Sequence, residues 1–136
     1  MAVSESKYVH RDRIAGGLQG LLIGDALGVP YESHFPEMLP SREAIDFEPP
    51  PSFQRSHPGV PAGTWSDDGA QALCLLESLL RRGQLDLEDF ACRLLDWLDT
   101  GHLAVDGRVF DVGLQTAKAL DRLRNGIPVE EAGPRG

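Results

Sequence analysis

The chain lacks several features that would point to particular classes of protein. It has two cysteines in 136 residues, Cys74 and Cys92, and both lie in apolar helical patterns, without disulfide or zinc-ligand spacing. The N-terminal stretch is polar and has no apolar signal-peptide core. No run reaches the roughly 18 apolar residues of a membrane-spanning helix. We therefore expect a cytoplasmic protein from a reducing compartment, with no membrane contact.

An excess of positive charge is also missing. The net charge is −8, and the basic residues are scattered. Because binding to a phosphate backbone needs a basic surface, we expect no nucleic-acid binding. The composition, 41% hydrophobic and 25% charged, is that of a globular domain, and the length suits one domain or part of one.

Helical periodicity dominates, and no convincing alternating strand is present, so we predict an all-α fold. A glycine follows each of the last three periodic segments, which is a typical helix C-cap signal. The predicted helices are Lys7–Leu27, residues 66–82 ending before Gly83, Asp86–Thr100 before Gly101, and Asp111–Arg124 before Gly126.

Proline is concentrated in one segment. Eight of the ten prolines lie between Gly28 and Pro61, which excludes a regular helix over most of that stretch. We predict a long Pro-rich loop at about 28–65, and loops of this length are usually functional or mobile.

Two helices carry packing signals. The helix over 66–82 is apolar nearly all round, so we expect it to be buried on most sides. In the first helix, Gly17, Gly20, Gly24 and Gly28 form one stripe. Glycine weakens a helix interior by about 1 kcal/mol relative to alanine, so the stripe predicts close helix–helix packing.

The stretch "GTWSDDGAQALCLLESLL" places Ser66, Asp67 and Asp68 at the start of that central helix. One interpretation is a helix N-cap, since serine and aspartate are favoured there. The other is a metal site, since a hydroxyl and two carboxylates are the hard oxygen ligands that Mg²⁺ or Ca²⁺ prefers. Spacing alone leaves both open.

Three ordered motifs resemble the ADP-ribosylglycohydrolase family. They are "RIAGGLQGLLIGDALGVPYES", the stretch around the double aspartate, and "GHLAVDGRVFDVGLQTAKAL". The resemblance implies the family's all-α fold and hydrolysis of the glycosidic bond that links ADP-ribose to a protein side chain or small acceptor. It also implies two Mg²⁺ ions, with Mn²⁺ as an alternative.

Residue roles follow from the same resemblance, position by position. Ser66, Asp67 and Asp68 match metal ligands. Glu32 matches a glutamate that lies by the metals, and Glu32, Asp68 and Asp111 are the implied catalytic residues. Gly107, Asp111 and Gly113 match the stretch that binds ADP-ribose in similar proteins, where glycines let backbone N–H groups approach phosphate oxygens.

The chain departs from the family pattern at several places. Ser66 stands where a threonine is usual, which keeps the hydroxyl, and Gly69 stands where a second threonine is usual. No second acidic motif follows Asp111. We therefore expect residues 1–136 to be the N-terminal portion of one domain, inactive alone, with the hydrolase activity in the complete protein. The alternative is a non-catalytic member or fragment that binds ADP-ribose, another nucleotide or a partner protein.

Overall fold

A computed structural model describes residues 3–133, and every regular element in that range is helical, as predicted. Within the described residues, none of the helices is both long and apolar enough to cross a membrane. The α-helices are α1 Val3–Gly28, α2 Asp67–Arg82, α3 Leu87–Thr100, α4 Leu114–Arg124 and α5 Val129–Ala132.

The chain divides into two compact units, Met1–Trp65 and Ser66–Gly136. In the first unit, α1 leads into the Pro-rich segment, which contains only three-residue 3₁₀ turns, so the prediction of no regular helix is confirmed. The segment is nevertheless ordered by internal contacts. The Tyr31 hydroxyl donates to the Asp46 carbonyl at 2.9 Å, and the Tyr31 and Phe53 rings lie 5.2 Å apart.

The glycine stripe of α1 does not show the close packing that we predicted. A Cβ built at Gly17, Gly20, Gly24 or Gly28 would meet nothing within 4 Å among the described residues. Within the described part of the first unit, therefore, the stripe does not serve the close helix–helix packing that we predicted. The same helix keeps Ile14 largely exposed, at 70%.

In the second unit, α3 packs against α2, α4 and α5. Its Trp97 is the largest fully buried side chain described, and Leu120 of α4 is also buried. The predicted helix ends are confirmed at Gly83 and Gly101, which adopt the left-handed conformation at φ 71° and 77°. Glycine reaches that conformation without the steric cost of a Cβ.

The burial of α2 varies along its length. Its fully buried residues are Gly69, Ala70, Cys74 and Ser78, and the apolar residues between them are half-buried, in line with the predicted burial. The last turn differs from the prediction, because Leu80 is 75% exposed.

The start of α4 also differs from the prediction. We predicted a helix from Asp111, but α4 begins at Leu114, and Asp111 has a positive φ of 55°. A left-handed residue cannot continue a right-handed helix. The short helix α5, which follows Pro128, was not predicted.

Candidate functional site

The N-terminus of α2 carries the serine and the two aspartates, as predicted. Ser66 occupies the N-cap position, yet its side chain makes no capping hydrogen bond. Its hydroxyl instead donates to Asp67 Oδ1 at 3.3 Å. The N-cap interpretation therefore does not account for the Ser66 side chain, which faces a carboxylate rather than the backbone of the first turn.

The Asp67 carboxylate links α2 to the start of α4. Its Oδ2 accepts hydrogen bonds from Gln71 Nε2 at 3.2 Å and from the Gly113 N–H at 3.4 Å. A Cβ at Gly113 would lie 4.0 Å from the same Oδ2. This approach brings together, within the second unit, two positions that lie 46 residues apart.

Like charges surround Asp67. Burial raises the pKa of its carboxyl above the ordinary value, the Gly113 N–H acts in the opposite direction, and the negative charges of Asp68 and Asp111 raise the pKa further. Asp68 and Asp111 are themselves exposed. We call Ser66, Asp67, Asp68 and Asp111 the acidic cluster. Its hydroxyl and carboxylate oxygens are the ligand types that Mg²⁺ prefers, and a cation would offset their mutual repulsion.

The loop between α3 and α4 carries Asp111 and both glycines that the resemblance assigns to ADP-ribose. Positive φ values recur along it, at Leu103 (63°), Asp106 (54°) and Asp111 (55°). Such conformations are costly for non-glycine residues, and they persist where the surrounding structure holds them, often at functional sites.

Both predicted substrate-binding glycines use their N–H groups within the chain. Gly107 donates to the Ala104 carbonyl at 3.2 Å, and Gly113 donates to Asp67. The Gly107 carbonyl also lies close to Gly101, where a Cβ would approach it to 2.1 Å. Phosphate binding by these N–H groups stays a prediction.

A network of polar and charged side chains, which the sequence analysis did not identify, contacts the beginning of this loop. His102 Nε2 lies 2.7 Å from Glu77 Oε2 of α2, and Arg93 of α3 approaches the same oxygen at 2.6 Å. The hydrogen bond from His102 is the main reason that the pKa of Glu77 is lowered, burial opposes it, and Arg93 lowers the pKa further. The i,i+4 pairs Glu77–Arg81 and Asp89–Arg93 were the visible sequence signal for part of the network.

Glu32 belongs to the first unit, directly after the 3₁₀ turn Val29–Tyr31. Its Oε2 lies 2.9 Å from His57 Nε2. The Ser56 hydroxyl donates to the Glu32 carbonyl at 2.5 Å, and His34 Nδ1 lies 2.9 Å from that carbonyl. The four histidines show no paired ligand spacing in the sequence, so these contacts had no sequence signal.

Comparison with known proteins places the chain in a family. The family model for ADP-ribosylglycohydrolase matches residues 6–136. The chain therefore belongs to the ADP-ribosylglycohydrolase family, as the motifs predicted, and its helical fold agrees with this membership.

Two curated relatives carry the name ADP-ribosylarginine hydrolase Tri1. The protein from Pseudomonas putida (strain GB-1) is 39% identical over 119 residues, which cover 85% of this chain and 29% of the relative. The protein from Serratia proteamaculans (strain 568) is 36% identical over 111 residues, covering 82% of this chain and 28% of the relative. The chain thus spans less than a third of the length of these relatives. No solved structure matches it significantly.

Proposed function

We propose that the protein containing this chain is a Mg²⁺-dependent hydrolase that releases ADP-ribose from arginine side chains of modified proteins. Family membership supports hydrolysis of an ADP-ribosyl bond. The printed names of the two relatives above support arginine as the acceptor. The observation that carries the metal dependence is the acidic cluster, in which the Ser66 hydroxyl lies 3.3 Å from Asp67 Oδ1 and the Gly113 N–H, two residues after Asp111, donates to Asp67 Oδ2.

Ser66, Asp67 and Asp68 are the proposed metal ligands. The Ser66 hydroxyl already lies 3.3 Å from an Asp67 carboxylate oxygen, so two hard donors sit side by side. Adjacent side chains on a helix diverge by about 100°, so Asp67 and Asp68 would serve different ions of a pair. Mn²⁺ is an alternative because carboxylate and water ligands suit it as well.

Bound Mg²⁺ would supply orientation of the ribose hydroxyls and activation of a water molecule. The residues of the chain would do the rest. A carboxylate of Asp68, Asp111 or Glu32 would accept a proton from the attacking water. The water oxygen would bond to ribose C1″ while the C1″–N bond to the guanidino group breaks, and the leaving nitrogen would keep the electron pair and take a proton.

Gly107, Asp111 and Gly113 are the proposed contacts to ADP-ribose. Asp111 is exposed, and its left-handed backbone directs the chain into the start of α4. The Gly113 N–H donates to Asp67 Oδ2 at 3.4 Å, so the proposed ADP-ribose stretch lies directly beside a proposed metal ligand.

The test uses the full gene product with ADP-ribosylated arginine as substrate. Asp67→Asn, Asp68→Asn and Asp111→Asn each keep the side-chain size but remove a negative charge. The matched control is Asp121→Asn, at an exposed position on α4. We expect each cluster variant to lose at least about a hundredfold in turnover, and the control to keep wild-type activity. Cluster variants with unchanged turnover would contradict the proposal. A wild-type protein that binds the ADP-ribosylated substrate but does not hydrolyse it would also contradict the proposal.

A further inference from the structure

We infer that His57 is a positioning residue for the Glu32 carboxylate, and that the fold of the Pro-rich segment places His57 beside that carboxylate. The inference rests on the proposed function, in which Glu32 takes part in hydrolysis. It goes beyond that function because it assigns a role to a histidine and to a loop that carry no specific signal in the sequence.

The contact itself is direct and partly shielded from water. His57 Nε2 and Glu32 Oε2 are 2.9 Å apart, and the two side chains are 26% and 31% exposed. Hydrogen bonds to a carboxylate are short and stronger than those between neutral groups, and partial burial reduces their screening. The contact therefore fixes one carboxylate oxygen of Glu32 in a defined direction.

The backbone of His57 is held in a conformation that histidine rarely adopts. Its φ is 50°, and the following Pro58 restricts it further. The Val60 N–H donates to the His57 carbonyl at 2.9 Å, which closes a turn over His57–Val60. A disfavoured backbone persists when its surroundings determine it, and it is enriched where function needs the side chain in one place.

Ser56, beside His57, joins this turn to the segment around Glu32. Its N–H donates to the Pro30 carbonyl at 2.9 Å, and its hydroxyl donates to the Glu32 carbonyl at 2.5 Å. Arg55 Nη2 donates to the Val60 carbonyl at 2.9 Å from the other side. The main chain of Glu32 is thus held by Ser56 and its carboxylate by His57, two adjacent residues at the start of the turn.

This arrangement suits a base that must be oriented before the substrate arrives. A catalytic carboxylate works when it lies within hydrogen-bond reach of the proton that it accepts, and a second group commonly holds the base in the required orientation. Loss of His57 should therefore lower kcat while leaving substrate binding, and so KM, nearly unchanged.

The test compares variants of the full gene product in the ADP-ribosylarginine assay. His57→Gly removes the imidazole but accommodates the positive φ, so backbone strain cannot explain its effect. His57→Gln restores a donor near the Nε2 position. His10→Gln, at an exposed position of α1, is the control. We expect His57→Gly to lose about tenfold or more in kcat, with His57→Gln recovering part of the loss.

A double-mutant cycle decides whether His57 acts through Glu32. If it does, His57→Gly has no further effect on kcat in a Glu32→Gln background. Additive losses, or a His57→Gly variant with wild-type kcat, would overturn the inference while the wild-type activity kept the proposed function intact. A wild-type protein that releases no ADP-ribose would overturn the proposed function, and this inference with it.

Discussion

Replacement of Gly101 by alanine tests the geometry that holds the loop between α3 and α4. Gly101 ends α3 at φ 77°, and a Cβ there would approach the Gly107 carbonyl oxygen to 2.1 Å. That oxygen belongs to the backbone, so it cannot rotate away as the end of a flexible side chain would. The loop must therefore shift for the methyl group to fit.

Two costs add up for this variant. Left-handed backbone costs a non-glycine residue about 1–2 kcal/mol. The overlap with Gly107 adds about 1–3 kcal/mol, as for other overpacked sites. Gly83 provides a matched control, since it ends α2 at a similar φ of 71° but a Cβ there would meet nothing within 4 Å. The control should show the first cost alone.

Urea unfolding of the full gene product measures the difference. We expect Gly101→Ala to lower the free energy of unfolding by about 3 kcal/mol and Gly83→Ala by about 1 kcal/mol. Because Gly107 is a proposed substrate contact, Gly101→Ala should also raise KM, whereas Gly83→Ala should not. Equal losses of stability in the two variants would refute the close approach of Gly101 and Gly107.

Two further predictions concern charge and pH. In protein stripped of metal, Asp67→Asn should raise the urea midpoint at neutral pH, because burial and like charges raise the pKa of Asp67 in the folded state. The gain should vanish below the unfolded-state pKa, where the carboxyl is protonated in both states, and a gain independent of pH would contradict this. Glu77→Gln should flatten the acid side of a plot of unfolding free energy against pH. The pKa of Glu77 is lowered in the folded protein, so its carboxylate contributes stability above the unfolded-state pKa and loses it as pH falls through the folded-state pKa. Parallel plots for variant and wild type would be the contrary result.

Local signals in the sequence predicted the helices well. Gly83 and Gly101 marked helix ends because a left-handed C-cap depends mainly on the residue itself and its immediate neighbours. The start of α4 was wrong because the conformation of Asp111 is set by the loop around it. The exposure of Leu80 was also missed, since an apolar residue does not reveal whether another element covers it.

The candidate site was predictable where its residues are adjacent or lie in a known motif. Asp67 and Asp68 are neighbours, and Asp111 was identified through the family resemblance. The contacts of His57 with Glu32 and of His102 with Glu77 each join residues 25 positions apart. A single histidine carries no periodic or paired signal, so only the folded chain reveals what it contacts.

The central claim is that the acidic cluster supports metal-dependent release of ADP-ribose from arginine. The most direct measurement is a time course of ADP-ribose release from an arginine-ADP-ribosylated protein by the full gene product. The enzyme is first stripped of metal with a chelator and then supplied with Mg²⁺. We predict no release by the stripped enzyme, recovery when Mg²⁺ is added, and no recovery in Asp67→Asn. Release that continues at the same rate without metal, or recovery in Asp67→Asn, would contradict the account.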